Sequence, residues 1–243
     1  MIADSFLTTT TQLLSDITQQ EQATLSTAVD LFTATIRAGG IIHSFGTGHS
    51  SMLACEGLYR AGGLACVNAI LEPHTTFEIG AVAGGRLERT EGLAAGILDR
   101  YKLSAEDTFI IFSNSGVNAL PLEIVREVRA RGLKTVAVTS RAYATQTVQA
   151  RGGQSLLDLA DVVIDTHVPP GDAALELTDP HYRMGSVSTI CTAFIWNVLI
   201  SEAANVLLAE GHDPPIYISS NMPGAAENNE ALVARYRDRI RHL

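Results

Sequence analysis

Thr108-Phe109-Ile110-Ile111-Phe112-Ser113-Asn114-Ser115-Gly116-Val117-Asn118 is the stretch from which the fold is read. Its first five residues are all β-branched or aromatic, and the four after Thr108 are apolar. Such a run fits a strand buried on both faces. It stops at small hydroxyl residues, an amide and a glycine. Asn118 then opens a pattern that predicts a helix over 118–131. Asn118 is a good N-cap residue, and Pro121 falls in the first turn, where proline is tolerated. Strand, polar turn and helix form the repeating unit of α/β folds.

The same unit recurs on either side. Upstream, 41–45 reads as a strand, followed by Gly46-Thr47-Gly48-His49-Ser50-Ser51 and a helical stretch to Arg60. Residues 64–71 read as a second strand and 86–101 as a helix, with Leu87, Leu93, Ile97 and Leu98 on one side. Downstream, the strand 135–138 ends in Thr139-Ser140, and Val162–Asp165 reads as a fifth strand. Residues 5–38 read as two helices that Gly39-Gly40 terminates, a long helix is predicted over 184–210, and a last one over 228–241. Alternating strands and helices predict an α/β three-layer αβα sandwich on a parallel sheet. No linker or repeat divides the chain. It reads as one domain, with helices over 1–38, an α/β core over 39–183 and helices over 184–243.

The chain has 243 residues, 46% hydrophobic and 18% charged, which is apolar enough to bury a sizeable core and excludes disorder. Its net charge is −9, from 17 basic and 26 acidic residues, so no nucleic-acid partner is expected. Only Lys102 and Lys134 are lysines, and the arginines are scattered. Residues 184–201 lack charge, but Ser186, Ser188, Thr189, Thr192 and Asn197 are too polar for a lipid-spanning segment. A buried amphipathic helix and no membrane partner are expected there. The first basic residue is Arg37, so no signal-peptide n-region is read. Cys55, Cys66 and Cys191 are odd in number and lack C-x-x-C spacing, which predicts core thiols and a cytoplasmic location.

Open parallel sheets bind ligands at the carboxyl ends of their strands. Three strands here end in glycines or small hydroxyl residues. Glycine lets an anion approach the backbone, and hydroxyls and helix N-terminal N–H groups donate to phosphate. One such loop is usually an ordinary capped turn; three at equivalent positions point to a phosphate site. A P-loop is excluded because no lysine follows either glycine loop. The dinucleotide fingerprint lacks its third glycine, where Ser51 stands, although Glu72 after the second strand leaves a ribose contact open. No cofactor is expected. Without H-E-x-x-H or paired cysteines no metal is expected either, although scattered His and Asp can still meet in space.

Ser113-Asn114-Ser115-Gly116-Val117-Asn118, with Glu123 in the helix behind, resembles the S-x-S-G-x-T phosphate loop of sugar isomerase (SIS) domains. Gly46-Thr47-Gly48-His49-Ser50 resembles their glycine loop after the first strand, and Val138-Thr139-Ser140 the end of their fourth. The resemblance spans residues 30–210. Tyr59-Arg60-Ala61-Gly62-Gly63-Leu64, Leu87-Glu88-Arg89 and Pro214-Pro215-Ile216-Tyr217 are similar to bacterial SIS proteins of like length labelled as phosphosugar isomerases. Asn118 departs from the pattern's threonine; an amide still donates to phosphate but lacks the hydroxyl geometry. The resemblance implies a flavodoxin-like, five-stranded parallel sheet with extra terminal helices. It implies a homodimer or higher oligomer that packs through those helices and shares its active site. It also implies a sugar 6-phosphate, its phosphate held by Ser113, Ser115 and the backbone of 116–118, and its hydroxyls by Ser50 or Ser51.

Aldose–ketose isomerisation begins by removing a proton beside a carbonyl, as does elimination at C3. Each needs a base poised near neutral pH and a stabiliser for the enediolate oxygen. Glu56, Glu88 and His49 are the catalytic candidates, with Glu78 behind them. Glu56 lies in an otherwise apolar stretch and is alternatively a paired acid. Glu88 is alternatively one half of a solvated charge pair; the resemblance favours it, because acids in this region of SIS enzymes and related lyases act as bases. His49 faces ligand by position, as a ring-opening acid or a donor to a sugar hydroxyl. Binding candidates are Gly48, Ser50 and Ser51 in the first loop, and Ser113, Asn114, Ser115, Gly116 and Asn118 in the second. Thr139 and Ser140 after the fourth strand and Ser188 at the start of the long helix complete them. Ser219, Ser220 and Asn221 read as a segment able to close over the site. The reading is an isomerase acting on an amino- or N-acetylamino-hexose 6-phosphate. The alternatives are a dehydratase or lyase eliminating at C3 of an N-acetylhexosamine 6-phosphate, and a non-catalytic sugar-phosphate sensor.

Overall fold

Strands apolar on both faces need a helical layer on each side, and the computed structural model, which describes residues 1–243, has both. The chain opens with α1 (Ile2–Gln20) and α2 (Gln22–Arg37), then alternates β1 (Ile42–Gly46), α3 (Ser50–Glu56) and β2 (Val67–Ala69). Next come α4 (Ala81–Leu87), α5 (Ala94–Leu98), β3 (Thr108–Phe112), α6 (Ala119–Ala130), β4 (Lys134–Thr139), α7 (Arg141–Arg151), α8 (Leu156–Leu159) and β5 (Val162–Asp165). A hairpin, β6 (Ala173–Glu176) and β7 (Arg183–Ser186), leads into α9 (Ser188–Ala209) and α10 (Ala225–Tyr236). The five parallel strands run in the order β2-β1-β3-β4-β5, so the strand order reverses between β1 and β3. The expected flavodoxin-like αβα sandwich is therefore what forms.

Side chains alternate along each strand, and the two faces feed two cores. Ile42, Ile110, Phe112, Val136, Val138 and Ile164 join α1, α2, α3 and α9 in the larger core. Phe45, Phe109, Ile111 and Ala137 join α5, α6 and α8 in the smaller one. Trp196 of α9 is the largest buried side chain, edge-on to Phe32 at 6.1 Å and Phe112 at 6.0 Å. It leaves room only for glycine at 57, where a Cβ would lie 2.4 Å from the indole. By length and composition α9 could cross a membrane, but half of its apolar window is buried in the protein. Its exposed side carries Asn197, Ser201 and Asn205 but also Ile190 and Leu208, so the helix is buried as expected but only weakly amphipathic.

Several expectations need correction. Residues 86–101 are not one helix: the chain turns after α4, and Gly92 takes φ +86°. Glu123 then accepts the N–H groups of Gly92 and Leu93, capping α5 from the side of α6. The long helix starts at Ser188 rather than 184, because residues 183–186 pair with β6, with Gly185 at φ +76°. The hairpin itself was not anticipated. The second strand shortens to Val67–Ala69, and the last helix begins at Ala225. Cys66 and Cys191 are buried, and burial pushes both thiols up to about 12, but Cys55 is exposed.

A buried polar group fastens β1 to its neighbours. His43 Nδ1 accepts from Asn68 Nδ2 at 3.0 Å, so its Nε2 carries the proton and donates to Asp107 Oδ2 at 3.0 Å. Asp107 also accepts the Ile41 and Ser104 N–H groups and pairs with Arg239 at 2.7 Å. Burial holds the His43 pKa below its ordinary 6.5. Burial opposes the Asp107 charge, but the His43 hydrogen bond and the backbone donors outweigh it and keep its carboxyl below the usual range. Both groups bind protons more readily unfolded than folded, so acid costs stability. Urea denaturation across pH should show stability falling as pH drops below 6.5. His43→Gln should be less stable by about 1–3 kcal/mol at neutral pH and show a flatter decline between about pH 6.5 and 5.

Candidate active site

Gly46 pairs with Phe112, so the loops that follow β1 and β3 leave the sheet level with each other. They emerge where the strand order reverses, which is where open α/β sheets bind ligands. The second loop is shaped by Gly116 at φ +63°, a conformation that suits glycine. A Cβ there would also lie 2.6 Å from Thr139 Oγ1. Ser113 Oγ accepts the Gly116 N–H at 3.3 Å, and the Asn114 carbonyl accepts from Thr139 Oγ1 at 3.3 Å and the Ser140 N–H at 3.0 Å. Thr139 and Ser140 thus brace the loop from behind. Ser140 also caps α7 and donates to the Val168 carbonyl at 2.6 Å.

The two loops bound a cavity of about 520 Å³. Thr47, Gly48, His49 and Ser50 line one side, and Ser113, Asn114, Ser115, Val117 and Asn118 the next. The end of α4 brings Glu88 and Arg89, and α7 brings Tyr143, Thr147 and Arg151. Asp172 and Ser188 close the remaining side. Asn118 Nδ2 donates to Glu88 Oε1, and the Leu120 N–H donates to the Glu88 carbonyl at 3.0 Å. Asn118 therefore occupies the N-cap position of α6 without capping it: its side chain holds the carboxylate instead. The His49 ring stands edge-on to Phe77 at 4.9 Å. Ser188 donates to Asp172 Oδ2 at 2.6 Å, while Asp172 Oδ1 accepts the Val187 and Ser188 N–H groups and so caps α9. Asn114 Nδ2 is buried with no hydrogen-bond partner, a free donor within the phosphate-type loop. The amino end of α6, which favours anions, opens into the same wall.

Nine of the residues picked from sequence meet here: Gly48, His49, Ser50, Glu88, Ser113, Asn114, Ser115, Asn118 and Ser188. Five do not. Glu56 lies at the far end of α3, about 9 Å of helix beyond the loop, and pairs with Arg60 at 3.1 Å beside a separate surface depression. Ser51 is buried and donates to the Gly48 carbonyl at 2.7 Å. Gly116, Thr139 and Ser140 shape the loop without lining the cavity. Glu78 is exposed outside it. Ser220 lies beside Tyr59 and α10 rather than over the cavity. Tyr143, Thr147, Arg151 and Asp172 were missed. The first three recur every four residues, a polar stripe that a helix reading of 141–151 would have shown. Glu21, Asp165 and His167 are the group whose ligand atoms converge as a metal site would need, and they lie outside the cavity.

A family model described as the SIS domain matches residues 5–140. The chain belongs to the SIS domain family. UPF0309 proteins of Brucella canis and Brucella suis biovar 1 are each 44% identical to it over 242 residues, covering 100% of this chain and 99% of theirs. Among solved structures, phosphoheptose isomerase from Neisseria gonorrhoeae superposes with a TM-score of 0.55 at 17% identity, over 84% of this chain and 97% of that one. A Bacteroides fragilis protein involved in capsule formation superposes with a TM-score of 0.57 at 18% identity, over 85% of this chain and 90% of that one. At such identities these likenesses carry the SIS fold. The family places the glycine-serine loops in a sugar isomerase domain.

The close approach at Gly116 yields a direct test. Gly116→Ala should force the loop away from Thr139 and destabilise the protein by about 1–3 kcal/mol. Inorganic phosphate should then protect it less against heat than it protects the wild type, as thermal melts with and without phosphate would show.

Proposed function

We propose that this SIS protein is a phosphosugar isomerase acting on an amino- or N-acetylamino-hexose 6-phosphate. The observation that carries the reading is that Asn118 of the phosphate-type loop holds the Glu88 carboxylate in the same cavity. Ser113, Ser115 and the first N–H groups of α6 take the phosphate. Glu88 Oε1 accepts from Asn118, which leaves Oε2 without a protein donor and available as a base. In the open-chain sugar Glu88 removes the C2 proton, and the electron pair moves toward the C1 carbonyl oxygen. His49 donates a proton to that oxygen, giving a neutral enaminol. Collapse of the enaminol, with its N–H proton returning to His49 and the Glu88 proton delivered to C1, gives the C2 imine; water then hydrolyses the imine to the ketose and releases ammonia, or acetamide from the N-acetyl sugar. A cavity of about 520 Å³ suits a ligand of this size, and Phe77 gives an apolar wall for an acetyl methyl group.

Self-association belongs to the same proposal. α1 packs against the β6–β7 hairpin, and together they expose Ile2, Leu7, Tyr182 and Met184. A second copy would cover this apolar surface, and light scattering should give twice the chain mass.

The test is NMR of the protein with glucosamine 6-phosphate and N-acetylglucosamine 6-phosphate in D2O. Exchange at C2 with a new ketose signal is expected. A new vinyl signal would mean elimination at C3, and binding without exchange would mean a sensor. Glu88→Gln should slow exchange by about 10²–10⁴-fold with little effect on binding. The double variant Ser113→Ala, Ser115→Ala should lose affinity, since each hydrogen bond to a charged group contributes about 1.5–3 kcal/mol. Unchanged exchange in Glu88→Gln would overturn the assignment of the base.

A further inference from the structure

Three ionisable side chains converge at a point that the proposed reaction does not use. Glu21 stands at the break between α1 and α2, Asp165 ends β5, and His167 follows it in the next loop. One ligand atom from each lies within 4.8 Å of the other two. Glu21 is only 7% exposed and Asp165 only 8%. Buried carboxylates normally have a cationic partner, yet neither of these is ion-paired with a lysine or an arginine. Each faces only His167, at different ring nitrogens: Nε2 lies 3.3 Å from Glu21 Oε1, and Nδ1 lies 3.9 Å from Asp165 Oδ2.

The hydrogen bonds sort the oxygens into used and unused. Glu21 Oε2 accepts from Thr24 Oγ1 at 2.6 Å, and Asp165 Oδ1 accepts the Arg141 and His167 N–H groups at 3.0 and 2.9 Å. The oxygens that receive no hydrogen bond, Glu21 Oε1 and Asp165 Oδ2, are the two that face the imidazole. His167 Nε2 is itself shut off from water and makes no hydrogen bond, despite its 3.3 Å approach to Glu21. A shared proton needs a nearly straight N–H···O line. A bridging cation needs only converging lone pairs. In a tetrahedral shell with bonds of about 2.0–2.1 Å, neighbouring ligand atoms are about 3.3–3.4 Å apart, which is the Glu21–His167 separation. His167 is also held at φ +53°, a conformation rarely adopted by a residue with a side chain.

We propose that Glu21, Asp165 and His167 bind one divalent transition-metal cation, with water completing the shell. Two carboxylates and an imidazole suit Zn2+, and also Mn2+ or Co2+. The ligands come from the junction of the amino-terminal helices and from the edge strand of the sheet. The cation therefore supplies the missing positive charge and fastens the α1–α2 pair to β5. Its role is structural. The sequence reading expects no metal while leaving open that scattered His and Asp meet in space, because ligands this far apart in the chain leave no spacing signal.

The test uses the full-length protein, stripped with a chelator and titrated with ZnCl2 by calorimetry, with Co2+ absorption as a second readout. One Zn2+ per chain and a raised Tm are expected. Glu21→Gln and His167→Gln should each weaken binding at least about ten-fold, whereas His49→Ala, in the cavity, should leave it unchanged. Glu21→Gln also removes a buried unpaired charge. The metal-free variant should therefore melt at or above the metal-free wild type, and below the wild type once Zn2+ is added, which separates metal loss from misfolding. Failure of the wild type to bind Zn2+, Mn2+ or Co2+ would overturn the proposal. So would binding that survives both ligand substitutions, or an NMR titration showing His167 as a stable imidazolium that no metal displaces.

Discussion

Five residue pairs, from Ile42 with Thr108 to Gly46 with Phe112, hold β1 parallel to β3. The chain leaves β1 toward β2 on one side and returns to β3 on the other, so no strand covers the gap between their ends. α3 then packs on α9 in the larger core, while α6 joins the smaller core on the opposite face. The two helices diverge, and the crevice between their amino ends is the cavity. The His43, Asn68 and Asp107 group lies at the other end of these strands and joins β1, β2 and the residue before β3. The sheet is thus anchored at one end and left open at the other.

The acids of this chain divide by the kind of partner each has. Asp107, Glu123 and Asp172 accept backbone N–H groups from segments distant in sequence, and Asp107 has Arg239 as well. Such carboxylates are committed to holding the chain, and protonating them would leave donors unmatched. Glu88 has a neutral amide as its side-chain partner, on one oxygen only. An amide orients a carboxylate without a cation's strong bias toward the ionised form. Of the acids facing the cavity, Glu88 is the one that keeps a carboxylate oxygen without a protein donor.

What could be read from the residues followed the strength of local signals. β3 and β5 have the predicted bounds because each is an unbroken apolar run closed by polar residues. The two glycine loops were legible because strand, loop and helix are contiguous in sequence. Glu56 was misplaced because its neighbours in sequence line the cavity while the helical rise carries it away. The break in 86–101 and the late start of α9 depend on Glu123 and Asp172, caps delivered from about 30 and 15 residues away, which no local pattern reveals. Residues 141–151 carry no apolar periodicity that would mark a helix, because their stripe of Tyr143, Thr147 and Arg151 is polar and only Ala144 is buried.

The walls of the cavity differ in how firmly they are held. Ser188 is fixed by the Asp172 cap, and the helix behind it carries Trp196 and seven other buried residues into the larger core. The opposite wall is α4, which has no buried residue at all. Its end is secured by Asn118 on the Glu88 side chain and the Leu120 N–H on the Glu88 carbonyl. Few apolar contacts and a solvent-facing backbone are the marks of a segment that opens at low cost. α4 can therefore move without disturbing either core, and the position of Glu88 depends on Asn118, a residue of the loop after β3. The loop and the carboxylate are in this way held together, and the amide that stands where the family pattern has a threonine carries the donor that joins them.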